Sequence, residues 1–254
     1  MEYIIIVIFI LICFLLYMVK EAFRNEVLIN ELCFPDFPDT FGEIKIFFIS
    51  DIHRRKISKK IITDVKGKVD LVIIGGDLAE KGVPLEQVKN NLELLKELGP
   101  VYFVWGNNDY EVDYHELDAL LLSSNVKILD NTAVKFESRA GELFVLLGVD
   151  DMNGNRDRIE YALKDAGDEG FRILVSHNPR ISSKIQSAHN IRFVLSGHTH
   201  GGQIHILGFS PYEKGTIKKL NHTTQLISNG YGTTSLPLRL GAKAETHLII
   251  LKKG

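Results

Sequence analysis

Cysteine is scarce in this chain: only Cys13 and Cys33 occur among 254 residues, and neither has a neighbour at C-x-x-C spacing. Thiolate zinc sites and dithiol redox pairs therefore have no support, and two isolated cysteines do not identify a compartment. Positive charge is not in excess either, because the formal net charge is −2. The composition thus gives no reason to expect nucleic-acid binding. The sequence also lacks internal repeats, low-complexity tracts and any recognisable Ser or Cys nucleophile motif.

What the chain does contain is a series of polar residues at the ends of apolar, mostly β-branched runs. The runs cover residues 44–49, 71–74, 101–104, 173–175 and 193–195, and each predicts a buried strand. A strand that ends in Asp, Asn or His places a metal-binding side chain at the rim of a sheet, where ligand crevices form. The segments that follow are Ser50-Asp51-Ile52-His53, Gly75-Gly76-Asp77, Gly106-Asn107-Asn108-Asp109, Ser176-His177-Asn178 and Gly197-His198-Thr199-His200, with Gly201-Gly202-Gln203 after the last.

Each segment alone has an ordinary structural explanation. Asp77 could cap a following helix, and Asn107 and Asp109 could be turn residues. His198 and His200 fit such an explanation least, because the flanking glycines allow the backbone to approach a ligand closely. Five such segments in one chain make a shared ligand-binding crevice the better interpretation.

In order along the chain, these segments follow the pattern D-x-H, G-D, G-N-H-[DE], a lone H, and G-H-x-H. The sequence thereby resembles the calcineurin-like metallophosphoesterase superfamily from about Ile44 to the C-terminus. One position departs from the pattern, because Asn108 stands where the family usually has His. The run Gly197–Gln203 (GHTHGGQ) resembles a membrane-anchored bacterial branch of that family. The resemblance implies an α/β fold, the four-layer αββα sandwich of two mixed β-sheets.

The resemblance also implies a centre of two divalent metal ions. The seven matching positions are Asp51, His53 and His200 for one ion, Asn107, His177 and His198 for the other, and Asp77 as the bridge. Carboxylate, amide and imidazole ligands favour Mn²⁺, with Fe or Zn²⁺ as alternatives, and argue against a thiolate site. Because side chains alternate along an extended segment, Asp51 and His53 are expected to point the same way, and likewise His198 and His200.

Such a centre implies hydrolysis of a phosphodiester or pyrophosphate bond, in which a hydroxide held by both ions attacks phosphorus in line. We predict catalytic roles for Asn108 and Asp109 and substrate contacts for Arg54, Asn108 and His205. In the family the usual His helps to protonate the leaving group. Asn can donate a hydrogen bond but is not a general acid at neutral pH. We therefore expect a leaving group that needs little protonation.

Two other functions compete with metal-dependent phosphoester hydrolysis. A non-catalytic binding scaffold of the same fold would be expected to lack ligands, whereas all seven positions are filled. A metallo-β-lactamase-type hydrolase needs H-x-H-x-D-H, whereas His198-Thr199-His200 continues with Gly-Gly-Gln. The expected partner is a phosphate-ester substrate, lipid-linked or from the cell envelope if the protein is membrane-anchored. Residues 201–224 form either one wall of an apolar groove or an ordinary strand and loop.

An uncharged run from Tyr3 to Val19 predicts an N-terminal transmembrane helix. A signal peptide fits less well, because Glu2 stands where a basic n-region would be and no A-x-A-like cleavage site follows. Lys20 and Arg24 flank the C-terminal end of the run. The positive-inside rule then slightly favours a single-pass protein of the cell membrane with its catalytic domain in the cytoplasm.

We predict a membrane anchor over residues 1–20, a linker containing Pro35 and Pro38 over 21–42, and one catalytic domain over 43–254. Residues beyond about Thr40 are expected to fold alone as a soluble enzyme. The basic run Arg54–Lys56 either touches anionic groups or is a solvated helix start. Periodicity predicts helices over 57–66, 85–98, 113–122 and 157–164, and further strands over 126–129, 133–136, 143–148, 204–207, 225–228 and 247–251.

Overall fold

The computed structural model describes all 254 residues as five α-helices and twelve β-strands. The helices are α1 (Glu2–Ala22), α2 (Lys59–Val65), α3 (Leu85–Lys96), α4 (Tyr114–Ser123) and α5 (Ile159–Ala166). The strands are β1 (Val27–Phe34), β2 (Glu43–Ile49), β3 (Leu71–Ile74), β4 (Val101–Phe103), β5 (Lys127–Ile128), β6 (Thr132–Glu137), β7 (Leu143–Gly148), β8 (Phe171–Val175), β9 (Ile191–Ser196), β10 (Thr216–Lys219), β11 (Thr224–Ile227) and β12 (Thr246–Lys253).

The strands form two six-stranded mixed sheets. The first has the order β1-β12-β2-β3-β4-β5 and the second the order β10-β11-β9-β8-β7-β6. In the first sheet only the β12–β2 pair is antiparallel, so β2, β3 and β4 end at the same edge. In the second sheet β7, β8 and β9 run parallel. Parallel order matters here because it brings the segments after the strands together at one edge.

Apolar side chains from both sheets meet in a shared core. Phe48 and Ile73 of the first sheet pack with Phe144, Ile173 and Phe193 of the second, and all five are fully buried. The outer face of the first sheet is covered by α2, α3 and α4, and that of the second by α5. This arrangement confirms the predicted αββα sandwich.

Most of the predicted elements correspond to observed ones, with two exceptions in the C-terminal part. Helices α2 to α5 overlap the four predicted helices, and β6, β7, β11 and β12 overlap predicted strands. The strand predicted over 204–207 is wrong, because these residues form only isolated bridges to Leu240, Gly241 and Phe209. Strand β10 was not predicted, because its sequence Thr-Ile-Lys-Lys carries no apolar run.

The predicted linker over residues 21–42 is also wrong in its central part. Strand β1 pairs in parallel with β12 along its whole length, from Val27 beside Thr246 to Phe34 beside Lys253. Phe37, just beyond it, is 1% exposed and packs edge-on against Phe171. The segment is therefore an edge strand of the first sheet, and its half-buried Leu32 and Phe34 and the buried Phe37 pack with the shared core.

Helix α1 is long and apolar enough to cross a membrane by length and composition, a test that a signal sequence would also pass. Nearly all of its side chains are exposed. Only Met18, Glu21 and Ala22, in the last turn, are buried against the rest of the protein. The helix thus projects from the sandwich and is fixed to it at one end.

Candidate metal centre

The seven predicted ligands lie in loops that follow β2, β3 and β4 of the first sheet and β8 and β9 of the second. Backbone hydrogen bonds tie neighbouring loops to each other. The Asp51 N–H donates to the Gly76 carbonyl at 3.0 Å, and the Gly197 N–H donates to the His177 carbonyl at 3.0 Å. The loops of each sheet are therefore held side by side, at the edge where the carboxyl ends of its parallel strands meet.

Most of these ligands have an unusual backbone conformation. Asp51, His53, Asp77, His198 and His200 all have positive φ, from 50° at His200 to 73° at His198. Residues with a side chain rarely adopt this region, and such strain costs about 1–3 kcal/mol per residue and concentrates at functional sites. The prediction that an extended backbone aligns Asp51 with His53, and His198 with His200, is therefore wrong. The side chains converge because the chain turns sharply after each strand.

The first group consists of Asp51, His53 and His200, all buried. The Nε2 atoms of His53 and His200 lie 3.1 Å apart, and His200 Nε2 lies 3.4 Å from Asp51 Oδ1. Facing imidazole nitrogens beside a carboxylate present several lone pairs to one point. A cation at that point would satisfy them together, so this group fits a metal ion.

The second group is built around His177. Its Nε2 lies 3.1 Å from Asp77 Oδ2 and 3.2 Å from His198 Nδ1. Its Nδ1–H donates to the Gly75 carbonyl at 2.8 Å, which leaves Nε2 as the ligand atom. Asp77 Oδ2 is also 3.7 Å from His53 Nε2. Asp77 thus lies between the two groups, where a bridging ligand must be.

Asn107 supplies an independent sign of a cation. Its buried Oδ1 has no hydrogen-bond partner, whereas its Nδ2 donates to Asn108 Oδ1 at 3.0 Å. A buried acceptor left without a partner costs about 1–3 kcal/mol. A metal ion coordinated by Oδ1 would remove that cost, so the seventh predicted ligand also fits.

Two glycines allow the ligand loops to approach this closely. A Cβ at Gly106 would lie 2.2 Å from Asp77 Oδ1, and one at Gly197 would lie 2.3 Å from Asp51 Oδ2. Any side chain at these positions would displace a candidate ligand. The glycines before Asn107 and His198 are therefore required by packing around the site.

The charges of the buried groups are consistent with a cationic occupant. Burial would raise the pKa of Asp77, but the His177 and His53 imidazoles hold it well below its usual range. Burial would lower the pKa of His177, but Asp77 and Asp51 outweigh it and raise that pKa to about 10. The ionised carboxylates thus require nearby positive charge. Divalent ions would supply it and leave the imidazoles neutral, as ligands must be.

Asp109 has a different role from the catalytic one predicted. It is fully buried; its Oδ2 accepts from the Asp77 and Gly106 N–H groups at 2.8 and 2.9 Å, and its Oδ1 from the Ala79 N–H at 2.9 Å. Both oxygens are thereby committed to backbone donors. Asp109 holds the loops after β3 and β4 together and is a positioning residue, with no oxygen directed to a substrate.

Asn108, Arg54 and His205 lie around the candidate centre. Asn108 is half-buried, and its Nδ2 donates to Glu111 at 2.8 Å. Arg54 is exposed and forms an ion pair with Glu80. His205 Nε2–H donates to the Gly201 carbonyl at 2.6 Å, which braces the glycine turn after His200. Contact of these residues with a substrate remains a prediction.

Two residues at the site were not predicted from the sequence. Glu80 Oε2 lies 3.0 Å from His53 Nδ1; the place of Glu80 three residues after Asp77 was the only available signal. Arg239 is completely buried although it carries a charge, and it donates to the carbonyls of His200, Asn229 and Gly232 at 3.2, 2.6 and 2.7 Å. Arg239 Nη2 also lies 3.3 Å from His200 Nδ1 and so helps to fix the position of the His200 ring. No sequence pattern marked Arg239.

The chain is similar in sequence to known proteins. A protein of Bacillus subtilis (strain 168) described as "Uncharacterized protein YpbG" is 46% identical over 82% of this chain and 81% of its own length. An uncharacterized metallophosphoesterase of Helicobacter pylori (strain 26695) is 31% identical over 83% of this chain and 60% of its own. A zebrafish (Danio rerio) "Transmembrane protein with metallophosphoesterase domain" is 29% identical over 93% of this chain, which spans only 59% of that protein.

Solved structures share the fold at low sequence identity. Haemophilus influenzae NAD nucleotidase superposes with a TM-score of 0.52 at 17% identity, over 75% of this chain and 45% of that one. A 5'-nucleotidase precursor from Thermus thermophilus gives the same TM-score at 13% identity, over 82% and 55% of the two chains. The model of the calcineurin-like phosphoesterase family matches residues 44–202, which include every candidate ligand from Asp51 to His200. This chain therefore belongs to the calcineurin-like phosphoesterase family, and its family and candidate metal site together support a metal-dependent phosphoester hydrolase.

Proposed function

We propose that the protein is a single-pass, membrane-anchored hydrolase that uses two divalent ions, Mn²⁺ by preference, to cleave phosphodiester or pyrophosphate bonds. The observation that carries the proposal is the position of Asp77 between the His53 and His177 groups. When bound, two ions would acidify a water molecule and neutralise charge on the phosphoryl oxygens. The GHTHGGQ run and the apolar α1 support membership of the membrane-anchored bacterial branch.

The protein's own contribution is to hold the ligands rigidly. The Asn108 N–H donates to Asp77 Oδ1 at 2.8 Å, so the other oxygen is left to face both histidines. The His198 N–H donates to both oxygens of Asp51, at 3.0 and 3.2 Å. These bonds fix the carboxylates before a substrate arrives, which is how a preorganised site lowers a reaction barrier.

Asn108 limits the leaving groups that the site can serve. One of its two amide N–H bonds goes to Glu111, and its oxygen accepts from Asn107. The remaining N–H can stabilise a phosphoryl or leaving oxygen but cannot protonate it. A phosphoanhydride or an aryl phosphate leaves readily as an anion, whereas an alkoxide does not. We therefore propose that pyrophosphate-type or activated esters are preferred.

The proposed anchor suggests that the substrate is lipid-linked or part of the cell envelope, with Arg54 and His205 as further contacts. For orientation, Lys20 and Arg24 follow the apolar run of α1 and slightly favour a cytoplasmic domain. Arg24 is paired with Glu26 at 2.6 Å, which leaves Lys20 as the freer of the two charges.

The test is replacement of Asp77, with metal content and turnover measured on the purified full-length protein. Wild type is expected to bind two Mn²⁺ per chain and to hydrolyse a generic aryl phosphodiester. Asp77→Ala should lose the bridge and leave negligible turnover at any Mn²⁺ concentration. Asp168→Ala removes an exposed carboxylate elsewhere and should change neither quantity. Near-wild-type turnover of Asp77→Ala would refute the site assignment.

A further inference from the structure

Four large apolar side chains near the candidate centre are exposed to an unusual degree. Leu207 is 93% exposed, Phe209 83%, Ile206 69% and Leu236 63%. We call these four residues the apolar edge. Clustered exposed apolar residues on a folded domain mark a surface that contacts another protein or a membrane.

The two loops that carry the apolar edge are joined into one surface. Gln203 Nε2 donates to the carbonyls of Thr234 and Leu236, both at 3.2 Å. The Leu240 N–H in turn donates to the Gln203 carbonyl at 2.9 Å. Loop 203–209 and loop 234–240 are therefore held side by side, and the first of them begins three residues after the candidate ligand His200.

The same surface is fixed to the base of α1. The Arg239 N–H donates to the Met18 carbonyl at 3.1 Å, and Arg55 Nη1 donates to the Ala22 carbonyl at 3.2 Å. A 21-residue helix is about 31 Å long and the hydrocarbon core of a bilayer about 30 Å thick. Met18 lies about 6 Å along the axis from Ala22, toward the bilayer. If α1 spans a membrane, loop 234–240 must therefore lie at the membrane surface.

Exposed cations surround the base of α1. Lys20 lies in its last turn, and Lys243 precedes Ala244, whose N–H donates to the Glu21 carbonyl at 3.4 Å. Lys56 is also near, because the Tyr231 hydroxyl contacts both the Lys56 carbonyl and Asn25. Lysines beside an apolar surface are attracted to anionic lipid headgroups. The lysines and the apolar edge thus both indicate a membrane that contains anionic lipids.

A cleft lies between the base of α1 and the loop that carries Leu236. It has a volume of about 290 Å³ and is lined by Phe23 at the base of α1, by Gly232, Thr233, Ser235 and Pro237, and by Arg54, which directly follows the candidate ligand His53. We propose that the apolar edge inserts at the boundary between headgroups and acyl chains in the leaflet beside the base of α1. The candidate centre then opens onto the headgroup layer, and its substrate is a phosphate ester carried by a lipid of that leaflet. The substrate class rests on the proposed hydrolase activity, whereas the membrane contact rests only on the proposed membrane anchor.

The membrane contact is tested with the full-length protein in vesicles that contain an anionic phospholipid. Single cysteines at Leu207→Cys and Phe209→Cys, in a Cys13→Ser/Cys33→Ser background, carry an environment-sensitive fluorophore. Both labels are expected to be quenched by quenchers attached to lipid acyl chains. Tyr161→Cys is the matched control, because Tyr161 is a 64% exposed aromatic residue on α5, away from α1. Labels at 207 and 209 that behave like the label at 161 would overturn the proposal.

The substrate class is tested with two aryl phosphodiesters that share a leaving group. One is water-soluble bis(4-nitrophenyl) phosphate, and the other is a hexadecyl 4-nitrophenyl phosphate held in the vesicles. Leu207→Ser/Phe209→Ser should lower kcat/KM on the lipid substrate by at least about tenfold and change it on the soluble one by less than about twofold. Equal losses, or no loss on either, would overturn the lipid assignment. If the wild-type protein with Mn²⁺ hydrolysed neither substrate, the hydrolase proposal would be refuted instead. The fluorophores at positions 207 and 209 would still test the membrane contact.

Discussion

At the scale of single residues, Asn108 contacts a candidate metal ligand and is the residue behind the proposed substrate preference. Its oxygen accepts from Asn107 Nδ2, which leaves the buried Asn107 Oδ1 without a hydrogen-bond partner and available to a metal ion. Its own amide is held by Glu111. Two hydrogen bonds therefore fix the orientation of the Asn108 side chain. Its amide can donate a hydrogen bond but cannot transfer a proton. All seven candidate ligands are present together with Asn108, and under the proposed function this residue affects the choice of leaving group.

Asn108→His is predicted to relax the preference for activated substrates. A histidine can protonate the leaving oxygen, and general-acid help is typically worth about 10²–10⁴-fold. The expected result is a rise in kcat/KM on an alkyl phosphodiester that is much larger than any change on an aryl one. Asn108→Gln, which retains an amide, should not produce that rise. Equal improvement on both substrates, or wild type cleaving both equally fast, would contradict the leaving-group argument.

At the scale of elements, β1 determines where the folded unit begins. The strand covers the edge of β12, and Phe34 and Phe37 pack against Phe171 at centroid distances of 5.2 and 5.1 Å. A chain that begins near Thr40 would lose this strand together with Phe34 and Phe37, and would expose the edge of β12 and the ring of Phe171. The expectation of a soluble enzyme beginning at Thr40 therefore needs revision.

Two truncated proteins test the role of β1. A chain that begins at Asn25 lacks all of α1 but retains β1, and we expect it to be soluble and folded. A chain that begins at Thr40 should aggregate or unfold at a lower urea concentration. Losing a buried Phe side chain alone costs about 3–5 kcal/mol, against a total stability of about 5–15 kcal/mol. Equal urea midpoints for the two proteins would show that β1 is dispensable.

At the scale of the whole molecule, the candidate centre joins the two sheets. Its ligands come from five loops between Asp51 and His200, and the unfolded chain cannot bring these together. An ion that binds only the folded form stabilises it by mass action. The metal site is thus expected to contribute to stability as well as to activity.

Metal removal should therefore lower the melting temperature. At free Mn²⁺ about 100 times its Kd, one site adds about 2.7 kcal/mol, or about 5–10 °C for a domain of this size. Differential scanning fluorimetry of EDTA-treated protein in detergent, with and without added Mn²⁺, measures the shift. Asp77→Ala should show a smaller shift than wild type. A wild-type melting temperature that does not respond to Mn²⁺ would argue against the assigned ligands.

The order and chemistry of the candidate ligands followed from the sequence alone. Apolar runs ending in Asp51, Asp77, Asn107, His177 and His198 indicated strands with ligands at their ends, because a strand is short and its burial pattern is local. The apolar run before Lys20 predicted a possible spanning helix for the same local reason. These local patterns carried the resemblance to the family, and the αββα architecture was predicted from that resemblance.

Only the tertiary structure showed how the ligands converge and what supports them. The positive φ values of Asp51 and His53 are stabilised by bonds to the loop of Asp77, and these depend on the pairing of β2 with β3. The roles of Asp109 and Arg239 come from contacts with backbone groups that no side-chain pattern encodes. Strand β1 was missed because its partner β12 lies about two hundred residues away in the sequence. Such long-range pairings depend on the assembled sheets, so local sequence patterns could not determine them.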